Sequence, residues 1–394
     1  MASEILYNDL QSEVEATSYD CKFYKKICES HKYNFDQPIN NSNLEEVPYI
    51  NWNYFKESIG KYHELLRIPY DKLSYWTLSS STTGDPSLVG RGQEDIELFK
   101  RNYRKVFEEY SKMKTIKQLI LFAPSLAFMN RMPGLWYGKR GFLFYRDITD
   151  IWKNYKIEYL LKFKLAKTLL YVSTHFKKKV FIELNGKLME KSLKEVEHKK
   201  IPTLIANSAP LMYQNFKDYY KKKNHGFDMP ETFRVQLGGG GWDGVKGRVK
   251  LGYKINKAEF MEFISEFFNI PFENISDNYG ATEIPIACGG HWSKKYEDFI
   301  FHLDENEAQV IIRDLESLER IKKVNEPGII EVLTPYGVSS YAGVAVMLDD
   351  IIEIINFNKC AECGREGIVF RITGRMTPEI GKGCSSFTNL YPFK

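Results

Sequence analysis

The chain has 394 residues, enough for one large domain or two to three smaller ones, each with its own core. Hydrophobic residues make up 43% and charged residues 27%, and no run of about 18 apolar residues could span a bilayer, which argues against membrane insertion. A net charge of +4 is too small to imply nucleic acid, and the basic runs Lys177–Lys179 and Lys221–Lys223 read as solvated faces.

The N-terminus, MASEILYNDLQSEVEA, is acidic and lacks the basic, apolar and small-residue order of a secretion signal, so a cytoplasmic location with reduced cysteines is expected. Residues 1–75 read as helical segments broken at Asp36–Pro38 and Asn40–Asn43, an N-terminal cap. A serine- and threonine-rich loop at 79–87 precedes a long charged helix over Gln93–Tyr110. Short apolar runs then predict buried strands at Gln118–Ala123, Lys179–Glu183, Thr203–Ala206 and Phe233–Leu237, separated by helix-like stretches. That alternation, over 76–285, is the pattern of a parallel sheet covered by helices. Over 286–375 strands follow one another without helices, at Gln309–Arg313, Gly328–Leu333, Ile351–Ile355 and Gly367–Ile372, which predicts a smaller, mostly antiparallel subdomain. Residues 376–394 form a tail. With 25 Tyr and 26 Phe, ring packing is expected in the cores.

Three loops carry chemistry. Ser79–Ser87 (SSSTTGDPS) offers hydroxyls and backbone N–H groups to a polyphosphate, although an ordinary turn has the same composition. In Leu237–Gly244 (LGGGGWDG) the glycines let backbone pass close to a ligand, and Trp242 with Asp243 could wall a pocket. A GxGxxG match at Gly239, Gly241 and Gly244 is weak as a dinucleotide signal, because the glycine-broken basic stretch after it does not open a helix. Tyr279–Glu283 (YGATE) combines an aromatic face for a base, a hydroxyl for an α-phosphate and a carboxylate for magnesium.

In their order along the chain these loops resemble the signature motifs of the adenylate-forming superfamily of acyl-CoA ligases, peptide-synthetase adenylation domains and luciferases. Within it the likeness is to the LuxE type of acyl-protein synthetase, with phenylacetate-CoA ligases as cousins. The phosphate loop matches at Ser80, Thr82, Thr83, Gly84 and Pro86, and departs at Ser81, where glycine is usual, and at Ser87, where many relatives carry lysine. Gly239, Gly240, Gly241 and Trp242 match the pocket loop, and Tyr279, Gly280, Thr282 and Glu283 the adenine and magnesium motif. By the same resemblance Asp350 holds the ribose hydroxyls and Arg375, at the hinge motif, reaches the same nucleotide. The implied fold is α/β, the adenylate-forming large-domain fold with parallel sheets covered by helices and a smaller, mostly β subdomain. The region 76–285 would then bind nucleotide and acyl group.

Cys360 and Cys363 have the spacing of a zinc knuckle. The resemblance adds Cys288, with His302 or His291 as fourth ligand of a structural zinc. The chain ends 19 residues past Arg375, so the full C-terminal mobile domain of acyl-CoA ligases is not expected. The tail instead carries Cys384, flanked by Gly383 and Lys382, a thiol suited to accept an acyl group.

The expected function is ATP- and magnesium-dependent activation of a fatty or aryl carboxylic acid to an acyl-adenylate, with transfer to Cys384 and then to an acceptor protein such as a reductase or carrier. An acyl-CoA ligase of the phenylacetate type and a non-catalytic nucleotide-binding protein are the alternatives. The acid is open, and a homo-oligomer is compatible with the sequence.

Overall fold

The structure, a computed structural model, describes residues 4–79, 86–125, 154–164, 182–246, 249–250 and 253–376, together with 167, 170, 173 and 174. Two compact units interleave along the chain: one comprises 1–103, 280–288 and 299–394, the other 104–279 and 289–298. Among the described residues no helix is long and apolar enough to cross a membrane.

The first unit opens with the helix Glu4–Asp20, which buries Leu6, Leu10 and Val14, one turn apart on a single face. The helix Lys22–Ser30 follows directly, and the Cys21 thiol caps it by accepting the Tyr24 N–H at 3.5 Å. The strands Tyr75–Leu78 and Leu88–Arg91 form an antiparallel hairpin, Thr77 opposite Val89, around the serine- and threonine-rich loop. The unit also holds an antiparallel sheet in the order Arg320–Ile321, Gln309–Arg313, Pro327–Leu333, Ala345–Asn356, Ile368–Arg375 and Asp298–Leu303. The central strand Ala345–Asn356 also takes Ile50–Asn51 in parallel, and its side chains are buried over most of its length.

The second unit is the covered parallel sheet. Lys156–Phe163, Gln118–Pro124, Thr203–Asn207, Arg234–Leu237 and Ile275–Tyr279 lie side by side in parallel, and Ile182–Leu184 joins the edge antiparallel. Helices Gly186–Lys199, Ala209–Lys223 and Lys257–Phe268 connect the strands. Each stops at a left-handed residue, Lys200, Asn224 or Asn269. Asn185 and Asn256 cap two of them through side-chain oxygens that accept from Leu188 and Glu259. Aromatic rings fill the space beneath: Phe216 stacks on Phe267 at 5.0 Å and meets Phe122 and Phe268 edge-on.

Candidate active site

In the first unit the segment 280–288 is clamped at several points. A Cβ on Gly280 would stand 2.8 Å from the Tyr103 hydroxyl, so a larger residue there would have to displace the end of that ring. The Thr282 carbonyl accepts from Arg91 Nη2 at 2.9 Å, the Glu283 carbonyl from the Tyr341 hydroxyl at 2.9 Å, and the Ala287 N–H donates to Asn102 Oδ1 at 2.9 Å. Glu283 is buried, a hard oxygen donor of the kind magnesium takes.

The same unit carries Asp350 and Arg375 directly opposite each other on neighbouring antiparallel strands. Arg375 Nε and Nη2 both donate to Asp350 Oδ1 at 3.0 Å; Asp350 is buried, whereas the Arg375 side chain is 61% exposed. Asp349, next in line, is pushed up to about 6, first by burial and then by the Asp350 carboxylate, against the pull of Arg375; Glu283 and Lys56 act on it as well. Ser80, Thr82, Thr83 and Gly84 lie outside the described residues, as does Cys384.

In the second unit the pocket loop follows the strand Arg234–Leu237. Gly239, Gly240, Gly241 and Gly244 all have positive φ, a path that side chains with a Cβ rarely take. Val245–Lys246 and Val249–Lys250 then pair as a short antiparallel hairpin, so no helix follows the glycines and the dinucleotide fingerprint fails structurally. Trp242 packs edge-on against Phe260 at 5.2 Å and its indole N–H points to Asp277 Oδ2 at 3.4 Å. Asp277 is raised to about 6, mainly by burial, while the Asn278 N–H, Lys257 and Trp242 pull it down. Tyr279 is buried at the end of its strand, where the chain leaves this unit.

A second constellation in the first unit is the knuckle Cys360–Gly364. The Cys363 N–H points at Cys360 Sγ at 3.5 Å, the Gly364 N–H donates to the Cys360 carbonyl, and Gly364 turns with φ +73°. His302 Nε2 lies 3.4 Å from Cys363 Sγ, and the ligand atoms of His302, Cys360 and Cys363 are all within 4.8 Å of one another. Two sulfurs and an imidazole nitrogen at this separation are a donor set that fits zinc. Cys288 does not join them. It is buried, its thiol pushed up to about 12 by burial alone, and it is not among the gathered ligand atoms, which corrects the ligand choice made from sequence. The reason is local. Cys288 opens the strand Cys288–Ser293 as a fully buried residue, a thiol packed in the core.

A family model described as acyl-protein synthetase, LuxE, matches residues 145–390, more than half of the chain. The chain belongs to the LuxE acyl-protein synthetase family. No curated protein matches the sequence. Among solved structures it is similar to an open conformation of 2-hydroxyisobutyryl-CoA ligase in complex with 2-HIB-AMP and CoA, with TM-score 0.61, 10% identity, and 94% of this chain against 74% of that one. The same ligase in its postadenylation state with 2-HIB-AMP gives TM-score 0.60, 10% identity and coverage of 94% and 67%. Identities this low show the fold alone, and that fold is the adenylate-forming one. As a LuxE-family protein the chain is supported as an ATP-dependent acid ligase that works through an acyl-adenylate.

Beyond the LuxE-type signature residues, the structure adds four that the sequence reading passed over: Arg91, Tyr341, Asp349 and Asp277. Only Asp349 had a signal, its place beside Asp350. Arg91 and Tyr341 lie 250 residues apart, outside any motif, and acquire meaning only through contact.

Proposed function

We propose that this LuxE-family protein adenylates a fatty or aryl carboxylic acid with ATP and captures the acyl group on Cys384 before passing it to an acceptor protein. The observation that carries the first step is the pairing of buried Asp350 with Arg375 across neighbouring strands of the unit that also holds Glu283. Adenylation is mostly positioning and charge stabilisation. Asp350 accepts from the ribose hydroxyls, and Arg375, paired with it and largely exposed, presents its charge to the phosphates. Glu283 holds magnesium, which supplies positive charge to the phosphates when bound. Thr282 contacts the α-phosphate, with Ser80, Thr82, Thr83 and Gly84 as the phosphate loop and Gly239–Trp242 as the pocket wall. The carboxylate oxygen of the acid attacks the α-phosphorus, and pyrophosphate leaves. In the second step the Cys384 thiolate attacks the acyl carbonyl and AMP leaves, giving a thioester.

Zinc is structural in this reading, held by Cys360, Cys363 and His302. The experiment is acid-dependent exchange of labelled pyrophosphate into ATP across a panel of fatty and aryl acids. One or more acids should support exchange. Nucleotide binding with no exchange for any acid would leave a binding protein instead.

A further inference from the structure

The strand that leaves the serine- and threonine-rich loop ends in Arg91, which is 1% exposed. Burying a guanidinium is costly, and an apolar side chain could fill the same space, so the function of the charge must lie in its bonds. Nε donates to Thr77 Oγ1 at 3.1 Å, across the hairpin and in the strand that enters the loop. Nη2 donates to the Thr282 carbonyl at 2.9 Å, and Nη1 lies 3.5 Å from both the Gly337 carbonyl and the Tyr341 hydroxyl. The guanidinium also faces the rings of Tyr341 and Phe99 at 5.0 and 5.5 Å. Tyr341 in turn donates its hydroxyl to the Glu283 carbonyl at 2.9 Å. The nearby carboxylate of Asp95 is occupied with the N–H groups of Ser339 and Ser340 and the Ser339 hydroxyl, so it fixes the turn that presents Tyr341.

We infer that Arg91 is a positioning residue for adenylation, holding the Thr282 and Glu283 backbone, the latter through Tyr341, in register with the hairpin that carries the phosphate loop. This rests on the adenylation reading above. A rigid planar fork can reach a hydroxyl and two carbonyls on three separate segments at fixed angles, which lysine cannot do. Thr282 and Glu283 then start the reaction with their backbones already fixed.

The test uses the full chain and the variants Tyr341→Phe, which removes one hydroxyl and little packing, and Arg91→Lys, which keeps the charge and loses the fork. Exchange kinetics give kcat, KM for the acid and the half-saturating magnesium concentration. Binding of Mn2+ in the presence of ATP, followed by loss of the free-ion electron paramagnetic resonance signal, reads the same site without turnover. Thermal unfolding checks the fold. Misplacement by an ångström costs up to about a hundredfold, so kcat should fall about tenfold in Tyr341→Phe and further in Arg91→Lys. The metal-ion requirement should rise in both assays, while KM for the acid stays near wild type. If Arg91→Lys does not fold, Tyr341→Phe decides alone. Folded variants with wild-type kcat and wild-type metal-ion dependence would overturn the positioning role while leaving adenylation standing. A wild type without acid-dependent exchange would overturn the adenylation reading, and the positioning role with it.

Discussion

Asp277 and Asp349 are both held near 6 for the same first cause, burial, and the direction of that shift fixes how stability must respond to pH. A carboxyl whose folded value is raised from 3.8 favours the folded state while protonated; that contribution is whole below the unfolded value and is lost as pH rises through about 6. At pH 7.5 the ionised Asp277 therefore costs up to about 3 kcal/mol. Asp277→Asn should unfold at a higher temperature than wild type at pH 7.5, with the gain shrinking to nothing near pH 3.5; a gain independent of pH would contradict this account of the shift. For Asp350 the expected effect is on chemistry. Two hydrogen bonds from ribose hydroxyls to a charged acceptor are together worth about 3 kcal/mol or more, so Asp350→Ala should lower pyrophosphate exchange by at least about a hundredfold. Exchange at the wild-type rate would remove Asp350 from the site.

At the scale of elements, the knuckle is a backbone device before it is a metal site. Its N–H groups already turn toward sulfur and carbonyl, and Gly367, whose φ is +110°, passes so close to the Leu303 carbonyl that a Cβ would collide with it. Metal held here contributes directly to folding. Purified protein should carry about one zinc per chain, and Cys360→Ser with Cys363→Ser should remove it and lower the unfolding temperature by on the order of 10 °C. His302→Ala should weaken zinc binding where Cys288→Ala does not; the reverse outcome would restore Cys288 as a ligand. What was legible at this scale follows from composition. Gln309–Arg313 and Thr203–Asn207 are apolar runs bounded by turns, and both are strands at the expected places. Ile275–Tyr279 and Cys288–Ser293, reading ISDNY and CGGHWS, have neither apolar runs nor clean alternation, and their strand state comes from tertiary context.

Over the whole molecule, linear reading sets a boundary near residue 286 between a covered parallel sheet and a smaller β-rich subdomain. It could not show that the chain enters one unit, leaves it at Tyr103, and returns at Gly280, because contact between 91 and 282 or 102 and 287 leaves no trace in local composition. The motifs are legible for different reasons: Tyr279–Glu283 packs several chemically demanding residue types into five positions, whereas Asp350 stands out only through the family resemblance. The partners that hold them, Arg91, Tyr341 and Asn102, are common residues in ordinary settings.

The central claim, acid activation followed by capture on Cys384, is tested most directly by intact mass. Wild-type protein incubated with a supporting acid, ATP and magnesium, without coenzyme A, should gain the mass of one acyl group, and hydroxylamine should remove it as it removes a thioester. Cys384→Ser should exchange pyrophosphate at the wild-type rate and gain no mass, because a serine hydroxyl ionises far less readily than a thiol of pKa about 8.5. If the serine variant is acylated as fully as wild type, transfer to Cys384 is wrong and another residue accepts the acyl group; if wild type gains nothing and acylates only added coenzyme A, the protein is an acyl-CoA ligase.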